Sequence, residues 1–162
     1  MHAHDVLRYG HLTLLRSLQG LPEPMGDRPG ACGIWSVKDI IAHLGSYEIV
    51  LVDVLQSADM GVETPNLARF LELGPGYNDA EVDARRAMGM PEVLAELNEA
   101  HERSLATVAR RSPESLRQVG TIPWYGDAYS LDDLIVYQYY GHKREHAAQI
   151  EMVRDHPDRF PE

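Results

Sequence analysis

Four segments of the chain carry apolar residues at the spacing of an amphipathic helix, and stretches rich in Gly and Pro separate them. They run from about His4 to Leu18, from Ser36 to about Ala58, from Pro91 to Arg111 and from Ser130 to about Asp155. Apolar residues three and four positions apart line one face of a helix, which then packs against a neighbour. Because no strand-like alternation persists between the segments, the sequence predicts an all-α fold.

Two of the predicted helices begin with the sequence of a capping box. Ser36 and Ser130 are favourable N-cap residues, and Asp39 and Asp133 follow them at the third position. In such a box each side chain bonds the other residue's backbone N–H. We therefore expect helices to start directly after Ser36 and Ser130.

Two long connections, 59–79 and 112–130, join the predicted helices. A short helix from Asp79 to about Met88 follows the first and is expected on the surface. The first connection is longer than most loops in compact domains, which indicates a lid or a pocket wall.

Length and composition indicate one soluble domain spanning residues 1–162. Of the 162 residues, 44% are hydrophobic and 25% are charged, which is typical of globular proteins. No apolar run approaches the roughly 20 residues of a membrane span. The N-terminal residues lack the pattern of a signal peptide, so we expect a cytoplasmic protein.

The charge balance and the cysteine count limit which classes of partner and which kinds of metal site the chain can have. A formal net charge of -10, with 25 acidic against 15 basic residues, argues against binding to DNA or RNA. Cys32 is the only cysteine, which excludes an internal disulfide and a zinc site built mainly from thiolates. A metal ion would have to be held by histidines or carboxylates, and the expected partner is a small molecule.

The fourth segment has an unusually polar inner face. At 100° per residue, eight positions fall on one side of this helix: Leu131, Ile135, Gln138, Tyr139, His142, His146, Gln149 and Val153. A buried Gln or His without a hydrogen-bond partner costs about 1–3 kcal/mol. A metal ion would satisfy His142 and His146, because imidazoles four positions apart can direct their nitrogens at one point.

A third ligand is expected from the second segment, where His43 lies on the inward stripe. Facing helices approach to about 8–10 Å, so His43 can meet the His142 and His146 pair. Three imidazoles would leave one coordination position open, as in catalytic zinc sites. Tyr47 and Tyr139 lie on the two inward stripes and could place hydroxyl groups nearby. The alternative is that the histidines are satisfied inside the core without a metal.

Other polar and aromatic residues receive structural interpretations. Glu48 lies about 140° around the helix from His43, which favours an ion pair over a ligand role. Trp35 precedes a helix cap and suits a hydrophobic staple. The remaining histidines have no partner at ligand spacing and suit surface or packing positions: His2, His4, His11, His101 and His156. Aromatic residues of the connections either rim a pocket or plug the end of the helices: Tyr77, Trp124 and Tyr125.

Two motifs resemble the DinB/YfiT-like superfamily of bacterial metal-binding proteins: "WSVKDIIAHLGSYE" (35–48) and "GHKREHAAQIE" (141–151). The Tyr77–Asn78 pair between them fits the same pattern. The resemblance implies an antiparallel four-helix bundle of up-down-down-up connectivity, a divalent ion such as zinc or nickel held by the matching histidines, and a homodimer. Members with known activity include hydrolase-like enzymes and thiol-dependent transferases and isomerases, among them mycothiol-dependent maleylpyruvate isomerases.

These observations favour a metal-dependent enzyme that acts on a small molecule by hydrolysis or by thiol-dependent transfer or isomerisation, with a small thiol such as mycothiol as a candidate cofactor. His43, His142 and His146 would hold the ion. Tyr47, Gln138, Tyr139 and Gln149 are expected around it or in the adjoining pocket. The alternatives are a non-catalytic protein that binds or sequesters a small molecule, and a protein that acts only through its dimer surface.

Overall fold

The computed structural model describes residues 2–57 and 59–160, and within them the chain is helical and contains no strand. An isolated bridge between Cys32 and Trp35 is the one β-type pairing in that part. The prediction of an all-α fold is confirmed. The α-helices are α1 Ala3–Ser17, α2 Val37–Gln56, α3 Pro65–Leu73, α4 Tyr77–Ala84, α5 Met90–Val108, α6 Pro113–Arg117, α7 Leu131–Leu134 and α8 His142–Asp155.

Both predicted capping boxes are confirmed. Oγ of Ser36 accepts a hydrogen bond from the Asp39 N–H at 3.1 Å, and the Asp39 carboxylate accepts one from the Ser36 N–H at 2.9 Å. Ser130 and Asp133 make the same pair of bonds. The predicted end of the second segment at Ala58 lies outside the described residues.

The first long connection contains a helix that the sequence analysis did not predict. Helix α3 begins at Pro65, where the missing proline N–H costs no intrahelical bond. Its free N–H groups are capped from another helix, because the Asp53 carboxylate of α2 accepts bonds from Asn66 N and Leu67 N. A cap that comes from a distant part of the chain cannot be found by a local search for Ser, Thr, Asp or Asn.

The short helix after this connection is shifted and partly buried. Helix α4 starts at Tyr77 instead of Asp79 and ends at Ala84, and it buries Tyr77, Glu81 and Val82. The expectation of a purely surface helix is therefore wrong. The Tyr77 hydroxyl donates to Ser46 O at 3.2 Å, which ties α4 to α2.

Helix α2 lies at the centre of the packing. It packs most extensively on α5 and also contacts α3, α4 and α8, while α1 packs on α8 and on the segment before it. Gly10 allows α1 to lie close to the segment before α8, because a Cβ atom at Gly10 would lie 3.2 Å from Tyr140 Cδ2. Helix α2 contributes to both apolar clusters of the core, with Leu51 in one and Ile41 in the other.

The fourth predicted helix is interrupted by a π-helix, Ile135–Gly141, between α7 and α8. Bonds from residue i to i+5 widen the turn and rotate the following residues relative to an ideal α-helix. Gln138 is exposed as a result, so its predicted place on the buried face is wrong. Lys143, which the ideal helical angle placed elsewhere, is buried.

Among the described residues, no helix combines the length and the apolar composition that a bilayer span requires.

Candidate metal centre

Three histidine side chains from two distant parts of the chain meet inside the protein. His43 comes from α2, and His142 and His146 come from the start and the second turn of α8. Nε2 of His142 lies 3.0 Å from Nε2 of His43 and 2.9 Å from Nε2 of His146. One ligand atom from each residue lies within 4.8 Å of those of the other two. The structure thus brings together the three residues that the sequence selected as ligands.

The contacts among these rings cannot all be favourable hydrogen bonds. The Nε2 atom of a neutral imidazole carries either one N–H or one lone pair. His142 Nε2 has two such neighbours, and its single N–H or lone pair can form only one well-aligned hydrogen bond, so one of the two contacts lacks such a bond. A cation between the rings would turn all three lone pairs inward. Two imidazole nitrogens on one tetrahedral zinc lie roughly 3.3 Å apart, which is close to the observed separations.

The protonation states of the three rings suit metal binding. Burial, followed by the neighbouring imidazoles, lowers the pKa of His43 to about 2. Burial also lowers the pKa of His142 to about 4 and lowers that of His146. Neutral imidazole is the form that binds metals, because a protonated ring has no free lone pair. The rings therefore need not lose protons before an ion binds near neutral pH.

The sequence places these residues in a known family. The model of the DinB superfamily matches residues 10–150, which include all three histidines. The chain belongs to the DinB superfamily. No curated protein and no solved structure matches this DinB protein.

Gln149 fixes the orientation of one ring of the DinB site. The N–H at Nδ1 of His146 donates to Oε1 of Gln149 at 2.7 Å, which leaves the lone pair on Nε2 directed at the other two histidines. An interaction of the His142 ring with the Gln138 backbone partly offsets the lowering of the His142 pKa. Nδ1 of His43 is buried and has no hydrogen-bond partner among the described residues.

Aromatic side chains surround the His43 ring. The Tyr47 ring lies 4.8 Å from it and 5.0 Å from the His142 ring, and the Trp35 ring lies 4.9 Å away on another side. The Tyr47 hydroxyl donates to Asn78 Oδ1 at 3.1 Å. Trp35 therefore packs on a candidate ligand, which the staple interpretation did not include.

A second buried polar group lies beside the centre, and the sequence analysis missed it. Lys143 donates to Oε1 of Glu48, and Nδ1 of His101 lies 3.5 Å from Lys143 Nζ and 3.4 Å from the same Glu48 oxygen. His11 stacks on His101 with ring centroids 3.9 Å apart and donates to Asn98 Oδ1 at 2.9 Å. Glu48 is in an ion pair, as expected, but the pair is fully buried.

The sequence contains only part of the information needed to predict this second buried polar group. Glu48 and His101 fall among the apolar residues of α2 and α5, where a charged or polar side chain requires a partner. That partner is Lys143. Its burial depends on the π-helix, which no sequence pattern predicts. His11 and His101 suit the packing role predicted for them, yet their contact with each other joins α1 to α5.

Proposed function

We propose that this DinB protein is a metal-dependent enzyme that acts on a small molecule, with the divalent ion held by His43, His142 and His146. The observation that supports this most directly is the mutual approach of three Nε2 atoms, at 2.9 and 3.0 Å around His142. Without an ion this arrangement leaves one of the two contacts without a well-aligned hydrogen bond. With an ion, all three neutral imidazoles can coordinate the same divalent cation.

The donor set points to zinc or nickel. Imidazole nitrogens suit both metals, and three of them leave coordination open for a substrate. A divalent ion held in this way supplies Lewis-acid chemistry, which lowers the pKa of a water molecule or a thiol at the site. The reaction is accordingly a hydrolysis or a thiol-dependent transfer or isomerisation, and a small thiol such as mycothiol is the proposed co-substrate in the second case.

The surrounding residues orient the ligands and limit water. Gln149 sets the tautomer of His146, a role that typically changes metal affinity 10–100-fold. Tyr47 and Trp35 cover the His43 ring, which is only 2% exposed. His142 is half-buried, so substrate would approach from its side.

The proposal also covers the arrangement of the helices and the number of copies in the assembly. We propose that the long helices form an antiparallel four-helix bundle of up-down-down-up connectivity, that residues 1–162 make one domain, and that two copies form a homodimer. The packing of α2 on α5 and of α1 on α8 supports the bundle.

A non-catalytic protein that sequesters a small molecule is the second candidate, and one observation favours it. Among the described residues, no carboxylate hydrogen-bonds any of the three histidine rings. The buried carboxylate of Glu48 is already bonded to Lys143. The site therefore offers no side chain in contact with the centre that is free to act as a general base.

Metal analysis tests the centre itself. Protein purified without a nickel column should contain about one divalent ion per chain, and zinc at 100 times its Kd should add about 2.7 kcal/mol to the free energy of unfolding. His142→Ala should lose both effects. His156→Ala, which removes an exposed histidine, should keep them. Absence of the ion and of the stabilisation in the unaltered protein would exclude the proposal.

Turnover separates the two candidates. Metal-loaded protein is incubated with ester and amide substrates, and with electrophiles in the presence of a small thiol. An enzyme gives product that depends on metal and disappears in His142→Ala. Stoichiometric metal without any product would favour sequestration.

A further inference from the structure

A small aromatic cavity adjoins the three histidines. It has a volume of about 90 Å³, and its wall includes Tyr47, Phe70, Trp124, Tyr125 and Tyr139. Val50, Leu134 and the Gln138 amide complete the lining, which contains no charged side chain. We define this space as the aromatic pocket.

The pocket shares a wall with the candidate metal centre. Tyr47 packs against the His43 and His142 rings and also lines the pocket. From Tyr47 the ring contacts continue to Phe70 at 5.9 Å and from Phe70 to Trp124 at 5.6 Å. The pocket therefore lies one aromatic side chain away from the candidate metal centre.

Two of the polar groups in the lining already have hydrogen-bond partners. The Tyr47 hydroxyl donates to Asn78, and the Gln138 side chain hydrogen-bonds Tyr125. What the lining offers to a ligand is ring faces and aliphatic carbon. A charged group would lose its hydration there and gain no partner, whereas an apolar group would gain contact with several rings.

The wall is built from parts of the chain that are far apart in sequence. Phe70 lies on α3, Trp124 and Tyr125 lie in the second long connection, and Tyr139 lies in the π-helix. Phe70, Trp124 and Tyr125 are half-buried, so a ligand can reach them. The expectation of a pocket wall in the first connection is met by α3, and Trp124 and Tyr125 face the same space.

We propose that the aromatic pocket binds an uncharged apolar group of the substrate, a small ring or branched chain, while the reacting group lies at the three histidines. The volume admits roughly six water-sized atoms, because a cavity needs about 10–15 Å³ of such volume to hold one water. This inference rests on the proposed function for the position of the reacting group. The pocket itself binds the apolar group whether or not an ion is present.

The test compares two probes of nearly equal shape, benzyl alcohol and benzoate, in ligand-observed NMR titrations of the full chain. In metal-free protein, benzyl alcohol should bind at least about ten-fold more tightly than benzoate, because neither the pocket nor the histidines then offer a cation to pair the carboxylate. Trp124→Ala and Tyr125→Ala should each weaken benzyl alcohol by about ten-fold. Tyr137→Ala is the control, since this aromatic residue of the π-helix is 61% exposed.

Each outcome bears on one proposal at a time. Equal binding of the two probes, or unchanged affinity in both pocket variants, would overturn the aromatic pocket even if the protein binds metal. Selective binding of benzyl alcohol by metal-free protein would support the pocket even if metal analysis rejects the three-histidine centre. Thermal melting of each variant ensures that a loss of affinity is read only from folded protein.

Discussion

Lys143 donates to the Glu48 carboxylate in the interior of the protein, and this ion pair joins α8 to α2 beside the candidate metal centre. Lys143 directly follows His142, and Glu48 lies five residues after His43. The two side chains of the pair are 2% and 0% exposed. The helices that carry the three histidines are therefore connected by a pair of charges that has almost no access to water.

Removing one partner of this pair should be more damaging than removing both. Glu48→Gln or Lys143→Met leaves a buried charge without compensation, which should lower the free energy of unfolding by about 3–5 kcal/mol. The double variant should lose clearly less than the sum of the single losses. Urea unfolding of the four proteins measures this cycle.

An exposed ion pair provides the control for that cycle. Arg86 and Asp83 pair on the surface, so Arg86→Ala should leave the free energy of unfolding nearly unchanged. If Glu48→Gln and Lys143→Met cost no more than Arg86→Ala, the buried pair does not contribute as we infer.

Acid should destabilise the protein as the pH falls below about 6.5. Burial, followed by the Lys143 charge, lowers the pKa of His11 from 6.5 to about 3. The unfolded chain therefore binds a proton at His11 near pH 6.5 that the folded protein rejects, and stability falls. Burial alone would raise the pKa of Glu48, but Lys143 and His101 hold it well below 4.5, so protonation of the unfolded chain adds a further loss below pH 4.5.

Urea unfolding between pH 8 and pH 4 measures this dependence. His11→Gln removes one of the titrating groups, so its free energy of unfolding should decline less steeply between pH 6.5 and pH 4.5. Superimposable slopes for the two proteins would contradict the assignment of this proton to His11.

Loss of the Gln149 side chain should weaken metal binding without removing a ligand. Gln149→Ala frees Nδ1 of His146 from its acceptor, so the ring can rotate or change tautomer. The expected loss of affinity is about 10–100-fold, measured by competition with a chromophoric chelator. Glu151→Ala, at an exposed position of the same helix, is the control. Equal affinities would show that Gln149 does not orient the ring.

Removal of the Asp53 carboxylate should affect both stability and the aromatic pocket. Asp53→Ala exposes the N–H groups of Asn66 and Leu67, at a cost of about 1–2 kcal/mol in the free energy of unfolding. Because α3 carries Phe70, binding of benzyl alcohol should also weaken. Glu72→Ala, an exposed position on the same helix, should change neither. Full probe affinity in Asp53→Ala would show that the cap does not position Phe70.

Local patterns predicted the parts of the site that depend on one helix at a time. The four-residue spacing of His142 and His146 places them on adjacent turns in any α-helix, and both capping boxes involve residues three positions apart. Such contacts follow from the geometry of the backbone alone. The inward stripe of the second helix then selected His43 as the third member, and the family resemblance agreed.

Local sequence patterns did not predict the features that depend on several helices at once. The π-helix turned Lys143 inward and Gln138 outward, and the Asp53 carboxylate stabilised α3 from another helix. Both effects depend on which groups the packing leaves without a partner, and a single segment does not contain that information.

The sequence by itself determined an all-helical chain, the start of two helices and a set of three histidines capable of holding a metal ion, because periodicity and capping act over a few residues. The tertiary structure decided that the three Nε2 atoms meet, that Glu48 and Lys143 pair in the core, and that Phe70 and Trp124 enclose a pocket next to Tyr47. These contacts join residues tens of positions apart, and their formation depends on the packing of whole helices.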